Sequence, residues 1–204
     1  MKTVSEIKFD KIIKEGFQEI LKPLGFKKRA NNFYLKQDSV GQIINVQKSA
    51  FGNKDNINFT INTGIFVPEY WLALYDYSGK GLPDYPTEPE CLIRKRIGKL
   101  RNQDDTWYDI KDGTNEQQLI AEMRENLTEF ILPYFNRINN TEKMLQQLDK
   151  EDTMVASLGK LIIYGETKQF DKAKREYEGL LNSKINPRFL TTVKEYGQKY
   201  GLDK

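Results

Sequence analysis

Residues 42–68 constrain the fold of this chain more than any other stretch. Two flanks rich in β-branched and aromatic residues, Gln-Ile-Ile-Asn-Val-Gln-Lys-Ser-Ala-Phe and Ile-Asn-Phe-Thr-Ile-Asn-Thr-Gly-Ile-Phe-Val-Pro, enclose the turn-forming cluster Gly-Asn-Lys-Asp-Asn at 52–56. That arrangement predicts an antiparallel hairpin. Successive side chains of a strand point to opposite faces. Ile44, Val46, Phe59, Ile61 and Ile65 therefore fall on one face, and Asn45, Gln47, Thr60 and Asn62 on the other. The apolar face requires a cover. The amide face requires a reason, because Asn is a poor strand residue and a solvated face is ordinarily filled by Thr, Lys or Glu.

The cover lies on either side of the hairpin in sequence. Thr3 and Glu6 have the spacing of a capping box. Ile7, Ile13, Phe17, Ile20 and Leu21 then recur at helical spacing until Pro23 and Gly25 stop the helix. Thr114 and Gln117 repeat the capping spacing, and Leu119, Ile120, Met123, Leu127, Phe130 and Ile131 form a second stripe that Pro133 closes. Short strands are predicted at 32–36, 91–100 and 107–110, and a short aromatic helix or turn at 71–77. Lys27-Lys28-Arg29 reads as a solvated loop. Residues 76–90, with Gly79, Gly81, Pro83, Pro86 and Pro89, read as an irregular loop long enough to carry function.

The predicted fold is α+β, an antiparallel sheet of about four or five strands covered by helices over residues 1–150, followed by a helical tail over 151–204. After a short helix at 142–148, the chain from Thr153 onwards is helical only. Tyr164, Phe170, Ala173, Tyr177, Leu180 and Pro187 resemble the latter part of a tetratricopeptide repeat, with Lys168 where a glycine is usual. A single copy forms a helical hairpin, not a solenoid. Packing on the main domain is its expected role, with partner binding as the alternative.

Composition narrows the chemistry. The 204 residues contain no histidine, which removes the usual general base near neutral pH, the commonest zinc ligand and every Ser-His or Cys-His pair. One cysteine, Cys91, allows neither an internal disulfide nor a multi-Cys metal site, and fits a reducing, cytoplasmic setting. In a strand beside Leu92 it is expected to be buried and inert. The net charge of +3 is too mild for a dedicated nucleic-acid binder. No apolar run approaches a membrane span, and residues 1–20 are charged at helical spacing, so neither a membrane segment nor a secretory signal is expected. No cofactor is implied.

Two constellations remain. Asn45, Gln47, Thr60 and Asn62 share a face with Arg94 and Arg96 if their three strands are neighbours. Strand-centre amides beside planar guanidinium donors suit a carboxylate- or phosphate-bearing partner. In that case at least one Arg should lack an internal carboxylate. The alternatives are an ordinary water-facing sheet, or amides that tie down a covering loop. The second constellation is Asp84 with Asp109 and Lys111, which resembles a restriction-endonuclease-like signature in which two carboxylates hold Mg²⁺ and the Lys activates water. Asp109 falls on a predicted strand; Asp84 falls in the Pro-rich loop. Asp104, Asp105, Asp109 and Asp112 lack the spacing of a calcium loop and read as a solvated turn.

Several blocks in order carry a likeness. They are Gly25-Phe26-Lys27-Lys28 before Asn32-Phe33-Tyr34, the run Ile44-Asn45-Val46-Gln47-Lys48-Ser49, Phe59-Thr60-Ile61-Asn62-Thr63-Gly64-Ile65-Phe66, Cys91-Leu92-Ile93-Arg94-Lys95-Arg96-Ile97-Gly98 and Asp105-Thr106-Trp107-Tyr108. Over roughly residues 5–135 the chain resembles the bacterial domain-of-unknown-function family numbered 4304. The resemblance implies a bacterial intracellular protein without an activity, substrate or catalytic residue to carry over, and its context points to the conflict or immunity type. The expected function is non-catalytic binding of another protein; a metal-dependent nuclease is the alternative.

Overall fold

The computed structural model describes residues 2–76, 79, 81–150 and 154–203. The hairpin stands at its centre. Strands β3 (Gly41–Lys48) and β4 (Ile57–Phe66) pair antiparallel with Asn45 opposite Asn62 and Val46 opposite Ile61. At the turn, the Asn53 carboxamide oxygen accepts from the amides of Asp55 and Asn56, an Asx turn. β1 (Lys27–Arg29) and β2 (Asn32–Lys36) extend the sheet on the β3 side; β5 (Ile93–Arg96) and β6 (Tyr108–Ile110) pair with opposite ends of β4 on the other. All pairs are antiparallel, giving six strands in the order β1-β2-β3-β4-β5 with β6 also on β4. Two readings of the sequence change here. Lys27-Lys28-Arg29 is an edge strand, drawn into the sheet by the two-residue turn that joins it to β2. The strand predicted at 91–100 is shorter, because Ile97 and Leu100 both turn to the core at helical spacing and form the single-turn helix α3 (Ile97–Leu100).

The front face of the sheet is covered as expected by two helices. α1 spans residues 4–21, and its capping box of Thr3 and Glu6 is present. The Ser5 hydroxyl donates to Asp55 O at 2.7 Å, which pins the helix to the hairpin turn. α4 spans residues 116–136. Its cap is Asn115, whose side chain accepts from the Gln118 amide; the Thr114 hydroxyl instead accepts from the Lys111 amide. Both helices widen into π-helix, at Ile12–Gln18 and Asn126–Ile131. The wider turn explains which side chains are buried. In an α-helix a repeat of four drifts about 40° per step, and a π turn of i→i+5 bonds absorbs that drift. Phe9, Ile13, Phe17 and Leu21 thus stay on one face of α1, as do Leu119, Met123, Leu127, Ile131 and Phe135 on α4. The α-helical stripe misplaced two residues: Ile7 is 56% exposed and Ile20 only half-buried, whereas Phe9 and Ile12 are core. The helices meet at Gly16, where a Cβ would lie 2.9 Å from Met123 Cβ. Pro133 does not end α4, because the wide turn before it makes room for its ring.

The back face is also covered, over half its length. α2 (Pro68–Tyr75) and the single 3₁₀ turn Glu88–Glu90 lie on it, and Tyr34, Ile43, Phe66, Trp71 and Cys91 form a second apolar cluster, with Tyr85 against its edge. Gly64 is required there, since a Cβ would meet Cys91 Sγ at 2.5 Å. Of the helix or turn predicted at 71–77 and the loop at 76–90, Tyr77, Ser78 and Lys80 lie outside the described residues.

After the short helix α5 (Thr141–Leu148), the tail forms α6 (Met154–Glu166), α7 (Phe170–Leu181) and α8 (Pro187–Lys199). Thr153, where the helical character was expected to begin, lies outside the described residues. After α6, Lys168 adopts φ +60° within a Schellman closure made by Lys168 N to Gly165 O and Gln169 N to Tyr164 O. The conformation is the one a glycine at this position would serve. α6 packs on α2 and seats Gly159 against Leu92, and the Tyr196 hydroxyl of α8 donates to Ala73 O.

Candidate functional site

The open half of the back face is organised by strand register. Arg29 lies directly opposite Asn32, Asn32 opposite Asn45, Asn45 opposite Asn62, and Asn62 opposite Arg96. Directly opposed residues share a face. One row across five strands therefore reads Arg-Asn-Asn-Asn-Arg, and at about 4.8 Å per strand it is about 19 Å long.

From Asn32 to Arg96 the side chains of the row are hydrogen-bonded. Asn45 Nδ2 donates to Asn32 Oδ1 at 2.8 Å. Asn62 Nδ2 donates to Asn45 Oδ1 at 3.1 Å and to Gln47 Oε1 at 2.7 Å, while Asn62 Oδ1 accepts from Arg96 Nε at 3.2 Å. Asn62, 5% exposed, thus has both donors and its acceptor satisfied. Arg96 continues to the Asp105 carboxylate, which also accepts from the Trp107 indole at 3.0 Å. Both terminal arginines lie on aromatic rings, Arg29 4.6 Å from the centre of Tyr85 and Arg96 5.5 Å from that of Trp107. Gln47 is exposed and Trp107 is 38% exposed, so the row ends in accessible groups. A cleft of about 480 Å³ opens beside it between Arg94, Lys95, Arg96, Lys99 and Asp105.

The residues expected on the polar face are placed as follows. Asn45, Gln47, Asn62 and Arg96 come together in one network. Thr60 is buried and its hydroxyl donates to Thr106 O at 2.8 Å, holding the segment that carries Trp107. Arg94 stands apart. Its Nε and Nη2 contact both oxygens of Glu88, at 2.7 and 3.1 Å, and Glu88 is buried. The expectation that one guanidinium would lack an internal carboxylate fails, because Glu88 takes Arg94 and Asp105 takes Arg96. Cys91 is buried, and burial pushes its thiol well up from the ordinary range.

Asn32, Arg29, Asp105, Trp107 and Tyr85 were not singled out as site residues. Asn32 has the parity of Tyr34 and could have been placed once the β2–β3 register was known. Arg29 was hidden by the loop reading, and Asp105 by its place in a run of acids.

The nuclease-like residues are not brought together. Asp109 lies opposite Asn58 and accepts a hydrogen bond from its amide; Asp84 lines a cavity with Gly41 and Phe66 at the far end of β4. From Asn58 to Phe66 the strand runs about 26 Å. No group of three or more His, Cys, Asp or Glu side chains able to hold a metal occurs among the described residues. Lys111 is exposed, two residues beyond Asp109.

Comparisons with known proteins give one positive result. The family model described as a domain of unknown function (DUF4304) matches residues 17–137, which hold the six strands and α4 but only the last five residues of α1. No curated protein and no solved structure matches the chain.

Proposed function

The chain belongs to the DUF4304 family of domains of unknown function, and since that membership brings no activity with it, we propose from the chain's own geometry that it is a non-catalytic module binding another protein across the open half of the back face. The observation that carries this reading is the Arg-Asn-Asn-Asn-Arg row. Three opposed Asn residues are a costly choice for a strand surface, and their mutual hydrogen bonds hold Gln47 and Arg96 in fixed positions facing outward. Rigid polar groups around an exposed aromatic are the ingredients of a protein interface. Two further facts support a binding role. Arg96 of the row and its neighbour Arg94 are each committed to a carboxylate, Asp105 and Glu88, and the chain has no histidine to serve as a general base. We assign the protein to the bacterial cytoplasm, a setting supported by its single, buried thiol; no described helix is long and apolar enough to cross a membrane.

The test is an affinity comparison on the partner recovered with the wild-type chain. Arg96→Ala removes one end of the row from a half-exposed position, and it should weaken binding by about tenfold or more, the loss of roughly 1.4 kcal/mol or above. Its thermal midpoint should move by only a few degrees, about 2–4 °C per kcal/mol for a chain of this size. Undiminished binding by the folded variant would contradict the proposal.

A further inference from the structure

The end of the row at β1 carries a second feature. Lys22, Lys27, Lys28, Arg29 and Lys36 gather around this edge strand: Lys22, Lys27 and Lys28 line one cavity of about 330 Å³ with Gln18, Phe26 and Phe33, and Lys27 and Lys36 line another of about 770 Å³ on the other side. None of the five forms an ion pair among the described residues, whereas Arg94, Arg96, Arg101 and Arg124 elsewhere each hold a carboxylate. Arg29 alone of the five has a fixed partner, the ring of Tyr85, whose hydroxyl in turn donates to Lys27 O and Asn32 O at 3.1 and 2.8 Å. The larger cavity also holds Asp38, Glu69 and Asp84, whereas the smaller one has no carboxylate in its lining; there Lys22, Lys27 and Lys28 repel one another and are most stable with an anion supplied from outside.

We infer that β1 is the docking edge for an acidic, extended segment of a protein partner. This deepens the reading of the preceding subsection by naming the partner's chemistry, and rests on it for the partner being a protein. Charge complementarity selects an acidic occupant. Polypeptide is favoured over single-stranded nucleic acid because the edge offers no stacking platform: Phe26 and Phe33 are buried, and the one half-exposed ring, Tyr85, already carries Arg29 on its face. The backbone suits the same occupant. Arg29 and Asn32 flank the two-residue turn and so form the hydrogen-bonded pair, which leaves Lys28 at the position whose amide and carbonyl face away from β2. An extended segment can bond there while carboxylates on its front face meet Lys22 and Lys28, and its back face lies beside Arg29. Arg29 belongs both to this edge and to the row, so a partner bound at the edge continues directly onto the Asn ladder.

The probe is a fluorescent short peptide of alternating Glu and Val, titrated with the full chain at about 0.05 M and about 0.15 M salt. Controls are the same peptide with Lys for Glu, and a short oligothymidylate. Lys22→Glu with Lys28→Glu reverses two exposed charges without touching the core. The acidic peptide should bind the wild type, more weakly at the higher salt. The double variant should lose about tenfold or more in affinity, and Arg96→Ala less than about threefold. No binding of the acidic peptide at low salt, equal binding by the double variant, or tighter binding of the oligothymidylate would each overturn the inference. Any of these results, with Arg96→Ala still losing the recovered partner, would remove the acidic edge and leave the ladder reading standing.

Discussion

Asn62 is the residue on which the site turns. Its carboxamide joins three strands, giving both protons to Asn45 and Gln47 and accepting from Arg96, at a position nearly closed to water. An alanine there would leave the Asn45 and Gln47 carbonyl oxygens and Arg96 Nε without their protein partner. Those three groups border solvent and can be rehydrated in part, so the cost should be about 1–3 kcal/mol and not more. Chemical denaturation of Asn62→Ala should show that loss with the slope unchanged. A variant as stable as the wild type would mean that the amides float independently and that the row is no network. At this scale the sequence was informative where alternation is strong. Ile44, Val46, Phe59 and Ile61 against Asn45, Gln47 and Asn62 assign the two faces of the hairpin without further help, and all four apolar residues are buried. Asn32 and Asp105 could not be placed that way. Their roles depend on partners 13 residues away along the chain for Asn32 and nine for Asp105, brought close only by register.

At the scale of elements, the misreadings have common physical causes. A period of 3.6 residues predicts Ile7 in the core stripe of α1, but the π segment makes the buried repeat four, and Phe9 takes that place. β1 carries no strand signal in Lys-Lys-Arg and exists because β2 offers an edge to pair with. The cover on the back face went unseen because residues 76–90 have the composition of a loop, yet they anchor α2 through one carboxylate. Glu90 accepts from the Trp71 indole at 2.9 Å and from the Thr87 hydroxyl and amide. Burial alone would raise its pKa, but these hydrogen bonds outweigh burial and hold it below the ordinary 4.5. A carboxylate depressed on folding stabilises the native state above its unfolded pKa, and that contribution is lost as pH falls through the lower folded value. In a Trp107→Phe background, which leaves Trp71 as the single tryptophan, emission should therefore shift to the red as pH drops below about 4.5. Glu90→Ala should show the shifted spectrum already at neutral pH. A flat profile down to the point of global unfolding, or a normal spectrum in Glu90→Ala, would show that the carboxylate does not hold this element.

For the whole molecule, the sheet has an unequal pair of faces. The front is sealed by α1 and α4, half of the back by α2 and the segment ending at Glu90, and the tail packs behind α2 through Gly159 and Tyr196. What is left open is the row from Arg29 to Arg96. The sequence foretold an α+β sheet with a polar face and a helical tail. It could not say that only half of that face stays open, because the closing residues are distant in sequence and irregular in composition. The central claim is that the open half meets a partner, and site-specific photo-cross-linking in cells addresses it directly. A photoreactive residue at Gln47, exposed beside the row, should capture a discrete protein adduct; the same residue at Glu129, exposed on α4 across the molecule, should not. Adducts from Glu129 alone, or the same adducts at equal yield from both positions, would place the partner elsewhere and contradict the account.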